Sequence, residues 1–130
     1  MLSIADTGRA MENRFLYAGL IRLHVLHHAA REPVYGLAMI EELARHGYRL
    51  SAGTLYPILH GLEEKGYLKS VERRFTRTKR RVYRATPAGR RALQSARSKV
   101  RELFGELFED AKHIGRRKTG RANKRRGVEL

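Results

Sequence analysis

The chain contains no cysteine among its 130 residues, which excludes a disulfide framework and any thiolate metal site. It has no apolar run near the roughly 20 residues that a membrane span requires. Its start, Met1-Leu2-Ser3-Ile4-Ala5-Asp6, lacks the basic-then-apolar order of a secretion signal, so a cytoplasmic protein is expected, with no membrane partner. No paired carboxylates or nucleophile–base arrangement stand out, so neither an enzyme nor a cofactor is expected. Acidic residues are scarce: 13 Asp and Glu face 28 Lys and Arg, a formal charge of +15. Such an excess attracts polyanions, with DNA, RNA and anionic membrane as the candidates. The length suits one domain with a modest core.

The excess charge is not spread evenly. Acid and base are near balance up to Lys65. Beyond it lie two basic clusters. The first holds Lys69, Arg73, Arg74, Arg77, Lys79, Arg80, Arg81 and Arg84, interleaved with Tyr67, Val71, Val82 and Tyr83 as strands would require. The second runs from Lys112 to Arg126 with almost nothing apolar between its charges. It cannot build a core, and 115–130 reads as a disordered basic tail.

The pattern of elements is mainly α with a small β component. Met11–Ala30 reads as a helix with Leu16, Leu20 and Leu23 on one stripe, broadened by Phe15, Ile21 and Val25. That band is wider than one small core needs, and part of it is assigned to a second subunit. Pro33 stops it. A second helix is expected from Tyr35 to His46, burying Leu37, Ile40, Leu43 and Ala44, with Gly47 as a left-handed C′ residue. Ser51 caps a third helix, in which Leu55, Ile58, Leu59 and Leu62 recur at i, i+3, i+4 and i+7, and Gly66 closes it.

Two helices joined by a short turn with a glycine make a helix-turn-helix. The strands Tyr67–Arg74 and Lys79–Thr86, around a turn at 75–78, would be its wing. Thr86-Pro87 then supplies N-cap and N1 for a last helix, Pro87–Ile114, roughly 42 Å long at about 1.5 Å per residue. Leu93, Val100, Leu107 and Ile114 recur in it every seven residues, with Ala96 and Leu103 between them. A small domain cannot bury such a rod, so the heptads and Phe104 point to a partner helix and a homodimer. The expected organisation is a flexible start at 1–10, a winged helix-turn-helix domain over 11–86, a dimerisation helix over 87–114 and the tail.

At the head of the third helix, Ser51-Ala52-Gly53-Thr54-Leu55-Tyr56-Pro57 combines two hydroxyls, a glycine and a proline, which suits close approach to a sugar-phosphate backbone. Ser51 and Thr54 could serve as caps alone, but both are assigned a DNA contact as well. Tyr56 falls opposite the leucine stripe and is expected to be exposed. Pro57 removes a hydrogen bond to the Gly53 carbonyl and is expected to bend the first turns. The single sign of the wing cations assigns them to phosphates or the minor groove. His24 and His28 stand at i, i+4 with His27 beside them, yet no carboxylate or HExxH pattern accompanies them, and no metal is expected.

Three strings carry a closer likeness: Gly53-Thr54-Leu55-Tyr56-Pro57-Ile58-Leu59, Leu62-Glu63-Glu64-Lys65-Gly66-Tyr67-Leu68, and Arg80-Arg81-Val82-Tyr83-Arg84-Ala85-Thr86-Pro87-Ala88-Gly89-Arg90. Together they resemble the PadR family of bacterial transcriptional regulators, over about Arg14 to Phe108. The resemblance implies a dimeric repressor, here of the short branch with a single C-terminal helix. It would bind double-stranded, pseudo-palindromic DNA in the bacterial nucleoid, and it allows a small-molecule inducer in a pocket between helix 1 and the last helix. The DNA-binding set would be Tyr35, Ser51, Gly53, Thr54, Tyr56, Pro57, His60, Arg73, Arg74, Arg77, Lys79, Arg80 and Arg81. The dimerisation set would be Leu16, Leu20, Leu93, Val100, Leu103, Phe104 and Leu107. The chain departs from the family pattern at Glu32-Pro33 and Tyr35-Gly36-Leu37, where Gly-Pro and His-Gly-Tyr are usual, and in its basic tail. A nucleoid-associated or RNA-binding basic protein is the alternative, and a MarR-like winged helix is the runner-up within transcription.

Overall fold

A computed structural model describes residues 14–113; the segments expected to be a flexible start and a disordered basic tail, with Ile114 and the beginning of the first expected helix, lie outside them. The elements are α1 (Ala18–Arg31), β1 (Val34–Tyr35), α2 (Gly36–Arg45), α3 (Ala52–Glu64), β2 (Leu68–Phe75), β3 (Thr78–Ala85) and α4 (Pro87–His113). Two compact units divide after Gln94. The first holds everything up to the opening turns of α4, and the second begins at Ser95.

The first expected helix is interrupted. Residues 14–16 are helical, but Tyr17 leaves helical geometry at φ −92° and ψ 9°, and α1 starts at Ala18. Its far end obeys the proline rule: Glu32, just before Pro33, is fully extended at φ −166° and ψ 157°.

That extended stretch carries a strand the sequence did not announce. Tyr35 was expected inside a helix; it instead closes β1, which pairs antiparallel with β3 through Val34↔Tyr83 and Tyr35↔Val82. The sheet order is β1-β3-β2. The helix that follows starts at Gly36, so its core face is Gly36, Met39 and Leu43, and Leu37 is exposed rather than buried.

α2 and α3 end in the same way. Gly47 and Gly66 take φ of +92° and +82°, a region open to glycine at little cost. Gly47 N–H donates to the Ala44 carbonyl and Tyr48 N–H to that of Leu43; Gly66 and Tyr67 donate likewise to Glu63 and Leu62. Both are Schellman closures, and in both the tyrosine after the glycine packs against the core. The start of α4 is tied to the second closure. Thr86 Oγ1 accepts from Gly89 N–H at 2.9 Å as an N-cap and donates to the Gly66 carbonyl, while Thr86 N–H reaches the Tyr67 carbonyl at 3.0 Å.

The core of the first unit gathers Ile21, Val25, Leu26 and Ala29 from α1, Met39 and Leu43 from α2, and Leu55, Leu59 and Leu62 from α3. Leu50, Leu68, Tyr83 and Ala85 complete it. Leu93 packs against this cluster too. The first turns of α4 are thereby held by their own domain.

Candidate nucleic-acid interface

α3 presents two faces set by one periodicity. Leu55, Leu59 and Leu62 are buried, while Gly53, Pro57 and His60, at i, i+4 and i+7, form a stripe open to solvent. Ser51 is exposed at the N-cap, and Thr54 is half-buried beside it. The Ser51 carbonyl accepts from Thr54 and Leu55 N–H at 3.1 and 2.9 Å. Its hydroxyl does not make the expected side-chain cap; it donates to Thr54 Oγ1 at 3.4 Å instead. The two hydroxyls therefore sit side by side at the positive end of the helix, where anionic oxygens are favoured.

Among the described residues, nothing in the packing demands a glycine at 53. A Cβ there would meet only Ser51 Oγ, at 3.7 Å. The missing side chain keeps the outer surface of the helix low, which lets another backbone come close. Pro57 stands inside α3, where the N–H that would reach the Gly53 carbonyl is absent.

Tyr56 departs from expectation. It is half-buried and packs against the core, with its ring over Gly36 and 6.4 Å from the ring of His60. Position 56 lies on the flank of α3, between the leucine face and the open stripe, and the glycine at the start of α2 leaves a slot that an aromatic ring fills.

The wing is a tighter hairpin than expected. Phe75 pairs with Thr78, so two residues, Thr76 and Arg77, make the connection in place of four. Thr76 takes φ +45°, an uncommon conformation for a β-branched residue. The register sets Arg73 opposite Arg80 and Arg74 opposite Lys79. All four, with Arg77 and Arg81, are exposed. Like charges directly across a ladder oppose pairing, a cost that a polyanion relieves. Alternation puts Lys79 and Arg81 on the face that carries Tyr83, and Arg80 on the face that carries Val82.

Two of the wing cations have work inside the fold. Arg81 donates to Ser70 Oγ at 3.0 Å, and Ser70 donates through N–H and Oγ to the Glu63 carboxylate on α3 at 3.1 and 2.9 Å. The Arg80 guanidinium lies 5.9 Å over the Tyr35 ring, which sets Tyr35 of β1 beside a wing cation. Glu63 and Ser70 were not singled out from sequence, although they lock the wing to α3. A Glu and a Ser seven residues apart across a helix end carry no local signal of their meeting.

In the second unit, Val100, Leu103, Phe104, Leu107 and Phe108 are 42%, 50%, 52%, 64% and 67% exposed, and the Phe104 and Phe108 rings lie 4.9 Å apart. Leu16 and Leu20 are also open, at 72% and 42%. Among the described residues, no helix is long and apolar enough to cross a membrane.

Comparison with known proteins agrees with this geometry. The model of the transcriptional regulator PadR-like family matches residues 25–95. The transcriptional regulator Rv3488 of Mycobacterium tuberculosis is 53% identical over 93 residues, covering 72% of this chain and 87% of that protein. The crystal structure of a PadR family regulator from Eggerthella lenta superposes with a TM-score of 0.66 at 33% identity, over 76% of this chain and 88% of the other. A PadR-like transcription factor from Bacteroides fragilis shares the fold, with a TM-score of 0.62 at 24% identity over 80% and 97% of the two chains.

Proposed function

The chain belongs to the PadR-like family of transcriptional regulators, and on that premise we propose that it is a repressor that grips a pseudo-palindromic operator as a homodimer. α3 enters the major groove with Gly53, Pro57 and His60 towards the DNA. Ser51 and Thr54 take phosphate oxygens, and Tyr56 reaches in from the flank. Arg73, Arg74, Arg77, Lys79 and Arg80 lie along phosphates or in the adjacent minor groove. The observation that carries this reading is the register of the wing: two facing cation pairs stand on the hairpin locked by Ser70 and Glu63 to the helix with the low, open stripe.

The apolar stripe of the second unit is assigned to a second copy of the chain, assisted by Leu16 and Leu20. Val100, Leu103 and Leu107 follow the a/d spacing of a helix pair with Phe104 on its flank, and their exposure in a single chain is a cost that pairing removes. The Lys and Arg of 115–130 add affinity without selectivity, since cations release counterions from any duplex.

Selection of bound fragments from the source genome, followed by footprinting, tests the reading. A protected site with two half-sites about one helical turn, or a multiple of it, apart is expected. Uniform coverage with no preferred sequence would assign the protein to nucleoid packaging instead.

A further inference from the structure

The fold brings together side chains that lie far apart in the chain. His24 and His28 stand one turn apart on α1, and His46 caps the end of α2; one ring nitrogen from each lies within 4.8 Å of the others. The His24 and His46 ring centroids are 4.6 Å apart. Glu42, one turn before His46, aims a carboxylate into the same space: its Oε2 is 3.4 Å from His28 Nε2 and 3.4 Å from His46 Nε2. The other oxygen, Oε1, is held at 3.0 Å by the Arg45 guanidinium, which orients the carboxylate. We propose that His24, His28, His46 and Glu42 form a site for a divalent first-row transition-metal ion, which bridges α1 to α2.

The donor set selects the ion. Three imidazoles and one carboxylate suit zinc and its neighbours and suit magnesium or calcium poorly, while a chain without cysteine offers no thiolates to a softer ion. Zinc bound by four such ligands at about 2.0–2.2 Å is tetrahedral. The three imidazole nitrogens, now as much as 4.8 Å apart, must close by about an ångström, and His46 stands exposed at the C-cap of α2, outside the core. Arg45 and Arg31 are the cations nearby; Arg45 is already paired with Glu42, and a ligand carboxylate so held is the usual partner of a well-formed site.

The test uses the full chain, free of any affinity tag and stripped with chelator, with Zn²⁺ titrated against a chromophoric competitor and Co²⁺ followed by its visible absorption. No DNA is present, so the outcome is independent of the repressor reading. One ion per chain is expected, with micromolar or tighter affinity and the intense bands of tetrahedral Co²⁺. His46→Gln, at an exposed position that leaves the core untouched, should weaken binding at least ten-fold, and His24→Gln as much. His27→Gln, next in sequence but outside the group, should bind as the parent does. Zn²⁺ should also raise the melting temperature of the parent and not of His46→Gln. No saturable binding, or binding that survives His46→Gln, overturns the proposal and leaves the imidazoles as a packed aromatic cluster with Tyr48.

Discussion

The ring of Tyr56 occupies the space that a side chain at Gly36 would need: a Cβ at Gly36 would lie 2.6 Å from Tyr56 Cζ and 2.9 Å from Cε1. The first residue of α2 and the flank of α3 are thereby fitted to each other. Gly36→Ala must displace the ring, and a destabilisation of about 1–3 kcal/mol is expected, the usual cost of overpacking. Without the ring the sign reverses. In a Tyr56→Ala background, Gly36→Ala should be neutral or stabilising by up to about 1 kcal/mol, because alanine is the better helix former. Urea unfolding of the four proteins in the cycle measures it, and additive effects would refute the contact.

The same contact changes how Tyr56 must be probed on DNA. Tyr56→Ala would remove packing together with any base contact, so Tyr56→Phe is the informative variant, losing only the hydroxyl. It is expected to weaken operator binding by about 1–2 kcal/mol and leave random DNA unaffected. Arg77→Ala at the wing tip should weaken both alike and lower the salt slope by about one unit. Affinities on both DNAs across a salt series separate the two roles. Equal losses for Tyr56→Phe on operator and random DNA would reduce that hydroxyl to a phosphate contact.

Much of the fold was legible because its signals are local. Gly47 and Gly66 marked the two Schellman ends, Thr86-Pro87 the start of α4, and the leucine spacing the buried face of α3. What the sequence did not disclose depends on distant partners. β1 is two residues long and exists because β3 offers it an edge, so Tyr35 read as the start of a helix. Tyr56 read as exposed because the slot that receives it is created by a missing side chain twenty positions earlier. Leu93 keeps the heptad phase of α4, and its packing against the core of the first unit was not legible from that phase. His46 and Glu42 stood at i, i+4 like His24 and His28, yet only the crossing of α1 with α2 makes the two pairs one cluster.

The seam on α4 is open to a direct test. Val100→Glu with Leu107→Glu places two carboxylates on a stripe that is 42% and 64% exposed at these positions in the single chain. In a dimer they would be buried without partners, at several kcal/mol. The double variant is expected to sediment as a monomer with the helix content of the parent and to bind operator far more weakly. A dimer that survives would place the subunit contact elsewhere.

The wing tip stores strain that can be released. Thr76 holds φ +45° with a branched Cβ, at a cost on the order of 1 kcal/mol or more. Glycine has no such penalty, so Thr76→Gly is expected to raise stability by up to about 1 kcal/mol with the denaturant slope unchanged. A loss of stability on that substitution would mean the two-residue connection is wrong.

The last expectation concerns pH. Burial, reinforced by the neighbouring imidazoles of His46, His28 and His27, lowers the affinity of His24 for a proton; burial does the same for His28, with Glu42 working partly against it. In the unfolded chain both titrate near their ordinary value of 6.5. Below that value the unfolded state binds more protons than the folded one, so stability must fall as the solution is acidified. The contribution is complete above about pH 6.5 and is lost as pH drops through the unfolded value towards the lower folded ones. Carboxylates protonate near pH 4, below this window, and do not mask it. Urea midpoints of the chelator-treated protein from about pH 8 to about pH 5 should therefore decline most steeply below about 6.5. His24→Gln, which cannot take up the proton, should flatten the decline. A profile as steep in His24→Gln as in the parent would show that the imidazole cluster does not set the acid sensitivity of the fold.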